Sequence, residues 1–159
     1  MSNLLEHFSD RSRMIIFLTR MDAGKRGASA IEPGDLLEAL IHEDQGELAR
    51  RFAGSVTQSG PIRAPEPFFS AAAASEILLK LHNILPQNKP VADSVDMPMS
   101  PTLGEILKRA TELAMELQDK QVQPLHLVAG ILAQESSEPA EILKEAGMTR
   151  ETLIQALQS

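Results

Sequence analysis

The chain has 159 residues, 43% of them apolar and 23% charged, which suits one ordered globule, or two very small units sharing a core, and excludes a disordered chain. With no cysteine it has no disulfide, no thiolate metal ligand and no cysteine nucleophile, and a formal net charge of −7 speaks against a nucleic-acid partner, whose phosphates call for a basic face. The start, MSNLLEHF, lacks the basic and apolar stretches of a signal peptide, and no run approaches the roughly 18 to 20 apolar residues of a membrane span, so a cytoplasmic protein without membrane contact is expected.

In chain order, Ser9 is a fitting N-cap for a helix running to about Ala23 and closed by Gly24 or Gly27. A second helix starts near Pro33 and reaches about His42, with Leu36, Leu37, Leu40 and Ile41 forming a buried stripe. A short third is expected from about Gln45 to Ala53, stopped by Gly54. Residues 55–67, rich in Pro and Gly, read as a loop, and the alanine-rich stretch from Ser70 to Leu85 as a fourth helix. After an irregular stretch from Pro86 to Pro98, Ser100-Pro101 is an N-cap followed by proline at the first helical position. It opens a helix with Leu103, Ile106, Leu107, Ala110, Leu113, Ala114 and Leu117 on one side. Three more helices follow, at about Pro124 to Ala133, Pro139 to Ala146 and Thr149 to Leu157.

These elements repeat. Val122 to Leu132 (VQPLHLVAGIL) echoes Ile31 to Ile41 (IEPGDLLEALI) at an offset of 91 residues, and the same offset pairs Phe8 with Met99, Ser9 with Ser100 and Ile15 with Ile106. Self-similarity at a fixed period signals duplication. The expected fold is all-α, with two pseudo-symmetric four-helix repeats packed into one eight-helix domain over residues 1–159. Repeat one covers about 8–85 with an irregular insert at 55–69, residues 86–98 form a loop, and repeat two covers about 99–158.

The order Met99-Ser100, an amphipathic helix, Val122-Gln-Pro-Leu-His126-Leu127 and Ile142-Leu-Lys-Glu-Ala-Gly147 resembles the repeat of the Clp N-terminal domain, found at the front of Clp/ClpB-type AAA+ unfoldases. Phe8-Ser-Asp-Arg11 and Ile31 to Leu37 match it less completely, with Asp35 where the family histidine stands. The resemblance implies a non-catalytic domain that binds proteins or unfolded peptide segments, with a Clp-type ATPase or its adaptor as partner, in protein quality control or proteolysis. No Gly-x-x-x-x-Gly-Lys-Ser/Thr occurs, so no ATPase module is present in this sequence. Some relatives recognise phosphorylated arginine through a glutamate preceding the histidine. Here those positions are Gly34 and Leu125, and that activity is not expected.

Residue chemistry points to no catalytic, cofactor or metal site. The histidines at 7, 42, 82 and 126 are too scattered for metal-ligand spacing, and His126, in an apolar stretch, reads as a hydrogen-bonded structural residue. The alternative function is a small all-α enzyme with a dispersed active site that motifs do not reveal. The sharper clue lies where the copies differ. Met14, Phe17, Leu18 and Met21 lie opposite the expected core face of the first helix (Ser12, Ile15, Ile16, Thr19 and Ala23), and their counterparts are Glu105, Lys108, Arg109 and Glu112. One reading makes this second apolar face a contact surface, for a partner segment or for a homodimer through the first helix. The other has the chain cover it with Phe68, Phe69 or the fourth helix. Further candidate partner-binding residues, near the two repeat starts, are Phe8, Ser9, Met97, Met99 and Ser100.

Overall fold

A computed structural model describes residues 5–51, 56–57, 60–61 and 66–158. Among these the helices are α1 (Asp10–Lys25), α2 (Pro33–Asp44), α3 (Glu47–Arg51), α4 (Ala71–Ile84), α5 (Pro101–Glu116), α6 (Pro124–Ala133), α7 (Glu138–Glu145) and α8 (Arg150–Gln158). The fold is all-α. In the insert, read from sequence as pure loop, Val56–Thr57 pairs antiparallel with Gly60–Pro61 in a ladder two residues long. The last residues expected of the third helix, Phe52 and Ala53, and the Gly54 expected to stop it lie outside the described residues.

Local chemistry sets the helix starts. Ser9, Ser70, Ser100 and Ser137 each accept a hydrogen bond from the backbone N–H three residues on, satisfying a donor that the helix leaves free. Proline in the first turn of α2, α5, α6 and α7 costs no intrahelical bond. The 91-residue offset holds to the residue for the longest pair, since α5 is α1 displaced by that interval. Both helices leave through a left-handed residue, Gly27 (φ 74°) in repeat one and Gln118 (φ 61°) in repeat two.

The core is aliphatic, with Ile15, Leu36, Leu37, Ile41, Ile77, Ile106, Leu107, Leu127 and Ile131 fully buried. Helices α1 and α2 pack together as α5 and α6 do, and α2 touches α6 across the repeats. Close approach of α5 and α6 depends on Gly130, where a Cβ would lie 2.7 Å from the Ile106 carbonyl oxygen.

The repeats interlock through two short parallel bridges, Phe8 with Val122 and Ile31 with Met99. Val122 N–H donates to the His7 carbonyl (2.7 Å) and Ser9 N–H to that of Val122 (3.1 Å). In the symmetry-related place, Ile31 N–H donates to Pro98 (2.8 Å) and Ser100 N–H to Ile31 (2.9 Å). The segment entering the first helix of each repeat thus pairs with the segment entering the second helix of the other. Ser12, buried in α1, adds a hydroxyl bond to the Val122 carbonyl (2.7 Å) that Leu103, its counterpart, cannot make.

Candidate partner-binding surfaces

The structure distributes the nine candidate residues unequally. Leu18 is fully buried in the core, a correction to its place on an outward face. The reason is angular: at about 100° per residue Leu18 lies only about 60° from Ile15, and α1 packs against both α2 and α6, so its buried face is wider than one stripe. Phe17, pointing away from that face, is 53% exposed, and Met14 and Met21 beside it are half-buried, Met14 against the core margin. Phe8 and Ser9 are also corrected. Both are buried, Phe8 within the inter-repeat bridge and Ser9 as the cap of α1, bonded to Ser12 N–H and hydroxyl. Met97, Met99 and Ser100 keep partial exposure, although Met99 is bridged to Ile31 and Ser100 caps α5.

Part of the outer side of α1 is covered by the chain itself, by a segment that sequence periodicity could not indicate. Residues 86–98 run as a strap over the C-terminal half of α1. Asn88 N–H donates to the Arg26 carbonyl (2.7 Å) and Val91 N–H to that of Gly24 (2.8 Å). The Arg20 guanidinium grips the carbonyls of Ala92 (2.9 Å) and Val95 (2.6 Å). Gly24 is what lets the strap lie down, because a Cβ there would stand 2.8 Å from the Val91 carbonyl oxygen. Its counterpart in repeat two is Met115, 70% exposed.

Two grooves open at symmetry-related places, where α2 and α6 begin. One, about 420 Å³, runs past Gly34, Leu85, Thr102 and the start of α7. The other, about 500 Å³, runs past Leu125, Arg11, Phe68 and Leu157. Gly34 corresponds to Leu125 and Thr102 to Arg11, so the grooves share a location and differ in chemistry. In the second, Arg11 is held by Glu43 in a two-pronged ion pair (2.8 Å and 2.8 Å), and Asp44 accepts from the N–H groups of Phe68 (2.8 Å) and Phe69 (3.0 Å). None of the nine candidate residues lines either groove.

Two polar pairs stand at the starts of α2 and α6, both members buried in repeat one and only His126 buried in repeat two. In repeat two His126 Nδ1 accepts the Gln123 N–H (2.8 Å), so the proton of the neutral ring is on Nε2, which donates to Asp119 Oδ2 (2.8 Å). In repeat one Asp35 accepts the equivalent Glu32 N–H (2.9 Å) and takes the Arg26 guanidinium at 2.6 Å and 2.8 Å. Both arrangements serve helix starts, and His126 is the structural residue expected of it.

Sequence reading missed a gathering of Asp22, Glu38 and His42, each offering a ligand atom within 4.8 Å of the others. The spacing of Glu38 and His42, one helical turn apart, was visible in sequence; Asp22 belongs to another helix and needed the fold.

Comparison with known proteins locates this architecture. Residues 98–159 match the family described as the Clp repeat (R) N-terminal domain. No curated protein sequence matches the chain. Among solved structures, the Hsp104 N-terminal domain from Candida albicans superposes with a TM-score of 0.62 at 22% identity, covering 92% of this chain and 85% of that one. The N-terminal domain of the caseinolytic protease associated chaperone ClpD from Arabidopsis thaliana gives 0.59 at 16% identity, covering 98% and 97%. A chain from a structure described as "Peptide from EAEC T6SS Sci1 SciI protein" gives 0.63 at 16% identity, covering 99% and 90%. Residues 98–159 are therefore similar to a Clp repeat, and the chain as a whole has the all-α double-repeat fold seen in the Clp N-terminal domains.

Proposed function

We propose that residues 1–159 act as one double-repeat domain, a non-catalytic module that recognises proteins or unfolded peptide segments in protein quality control or proteolysis. Its partner would be a substrate, a Clp-type ATPase or the adaptor of one, in the cytoplasm. The Clp N-terminal fold is that of a protein-interaction module, and a peptide is named for one structure of the same fold. The observation that carries the reading is Phe17, exposed on α1 between half-buried Met14 and Met21, where repeat two carries Glu105, Lys108 and Glu112. Methionines around an aromatic anchor make an adaptable apolar contact. Met97, Met99 and Ser100 are secondary candidates at the start of repeat two.

The test is capture of partners from native lysate by the wild-type chain and by Phe17→Asp. Loss of the whole partner set, with an unchanged melting temperature, supports the surface; an unchanged set counts against it. Sedimentation of both proteins over a range of concentrations separates a homodimer through α1 from a heterologous partner.

A further inference from the structure

Asp22 stands near the end of α1, facing Glu38 and His42 one turn apart on α2. His42 Nδ1 and Asp22 Oδ2 are both buried, and neither has a hydrogen-bond partner among the described residues. They point at each other across 3.9 Å, too far for a hydrogen bond. Buried polar atoms are nearly always paired, so two orphans facing one another mark a place meant to hold something between them.

The surroundings fit a cation. The Asp22 side chain is only 10% exposed. Its carboxyl is pushed above the usual aspartate range, by burial first and by the charge of Glu38 second, against the opposing pull of His42, Arg51 and Lys25. On the other edge of the imidazole, Glu47 Oε2 lies 3.8 Å from Nε2, also beyond hydrogen-bond distance. Two side chains stand at the rim, the Arg51 guanidinium at 4.0 Å from Asp22 Oδ1 and the His82 imidazole at 3.6 Å from Glu38 Oε1. Neither reaches the gap between the orphaned atoms.

We infer that Asp22, Glu38 and His42 form a binding site for a first-row divalent transition-metal ion, with zinc as the simplest occupant. One imidazole and two carboxylates suit such an ion better than magnesium or calcium, which prefer all-oxygen sets. Zinc bonds of about 2.0–2.2 Å bring tetrahedral ligand atoms to roughly 3.3–3.6 Å from one another, a small contraction of the present spacing. Three protein ligands leave a fourth position for water or for a donor from a bound partner.

Calorimetric titration of the metal-free chain with zinc chloride tests this, with cobalt(II) absorption as a second readout. One ion per chain is expected, and Asp22→Asn and His42→Gln should each weaken binding by at least about tenfold. His82→Ala should leave it unchanged. Zinc should raise the melting temperature of the wild type and not of Asp22→Asn, whose own melting curve without metal reports that it folds. No saturation below about a thousandfold excess over a micromolar dissociation constant, equal binding by the two ligand variants, or binding that follows His82 or His7 would each overturn the site.

Discussion

Asp35 and His126 occupy the same point of the two repeats and accept the same backbone hydrogen bond, yet they reach partners of opposite character, a guanidinium for Asp35 and a carboxylate for His126. The duplication has conserved the cap and inverted the pair behind it. Asp35→Ala strands the buried Arg26 guanidinium and should cost about 3–5 kcal/mol, the range for breaking a buried ion pair from one side. Asp35→His restores the cap but not the charge partner. In urea unfolding it should remain destabilised until Arg26→Leu is added, and a double mutant no more stable than Asp35→His alone would show that the pair is not what fixes the residue choice.

The left-handed exits of α1 and α5 should respond oppositely to substitution. Gln118 holds φ at 61° with a side chain, so Gln118→Gly should stabilise by up to about 1 kcal/mol. At Gly27 a Cβ would fall 2.3 Å from the Lys89 carbonyl oxygen, and Gly27→Ala should destabilise while loosening the strap. Denaturant midpoints of the two variants check both signs.

The strap over α1 offers a local test. Gly24→Ala puts a methyl group against the Val91 carbonyl and the Arg20 guanidinium, and Arg20→Ala removes the grip on Ala92 and Val95. Either should speed hydrogen exchange at the Val91 and Asn88 amides while leaving α5 and α6 amides protected. Exchange that rises equally throughout the chain would mean that the strap belongs to the global unfolding unit.

Asp22 links stability to pH. Its folded carboxyl binds a proton more tightly than the unfolded one, so without metal its charge is a cost near neutrality. That cost is relieved as pH falls from above the folded value toward the ordinary 3.8. Metal-free Asp22→Asn should therefore be more stable than wild type at pH 7, with the advantage shrinking on acidification. Melting curves at several pH values would contradict this if the two proteins kept a constant difference.

Much of the fold was legible because its signals are local. Serine caps, first-turn prolines and the aliphatic stripes of α2 and α5 write their positions directly into the sequence, and the offset of 91 residues carries one copy onto the other. Leu18 was misplaced because α1 faces two neighbours, and a single periodic stripe cannot express that. The strap escaped because its bonds run from one arginine and two backbone amides to backbone carbonyls, groups that carry no side-chain signature. Two of the three members of the Asp22, Glu38 and His42 cluster share a helical spacing; the third depends on how α1 lies against α2.

The crossed bridges at Phe8–Val122 and Ile31–Met99 carry a consequence for the folding of the chain. The bond from Val122 N–H to the His7 carbonyl closes a loop of more than a hundred residues, and contacts of such separation slow folding. A fragment ending at Leu85 would lose the carbonyl that Ile31 N–H uses and the strand that covers Phe8. Neither repeat keeps all of its backbone hydrogen bonds without the other.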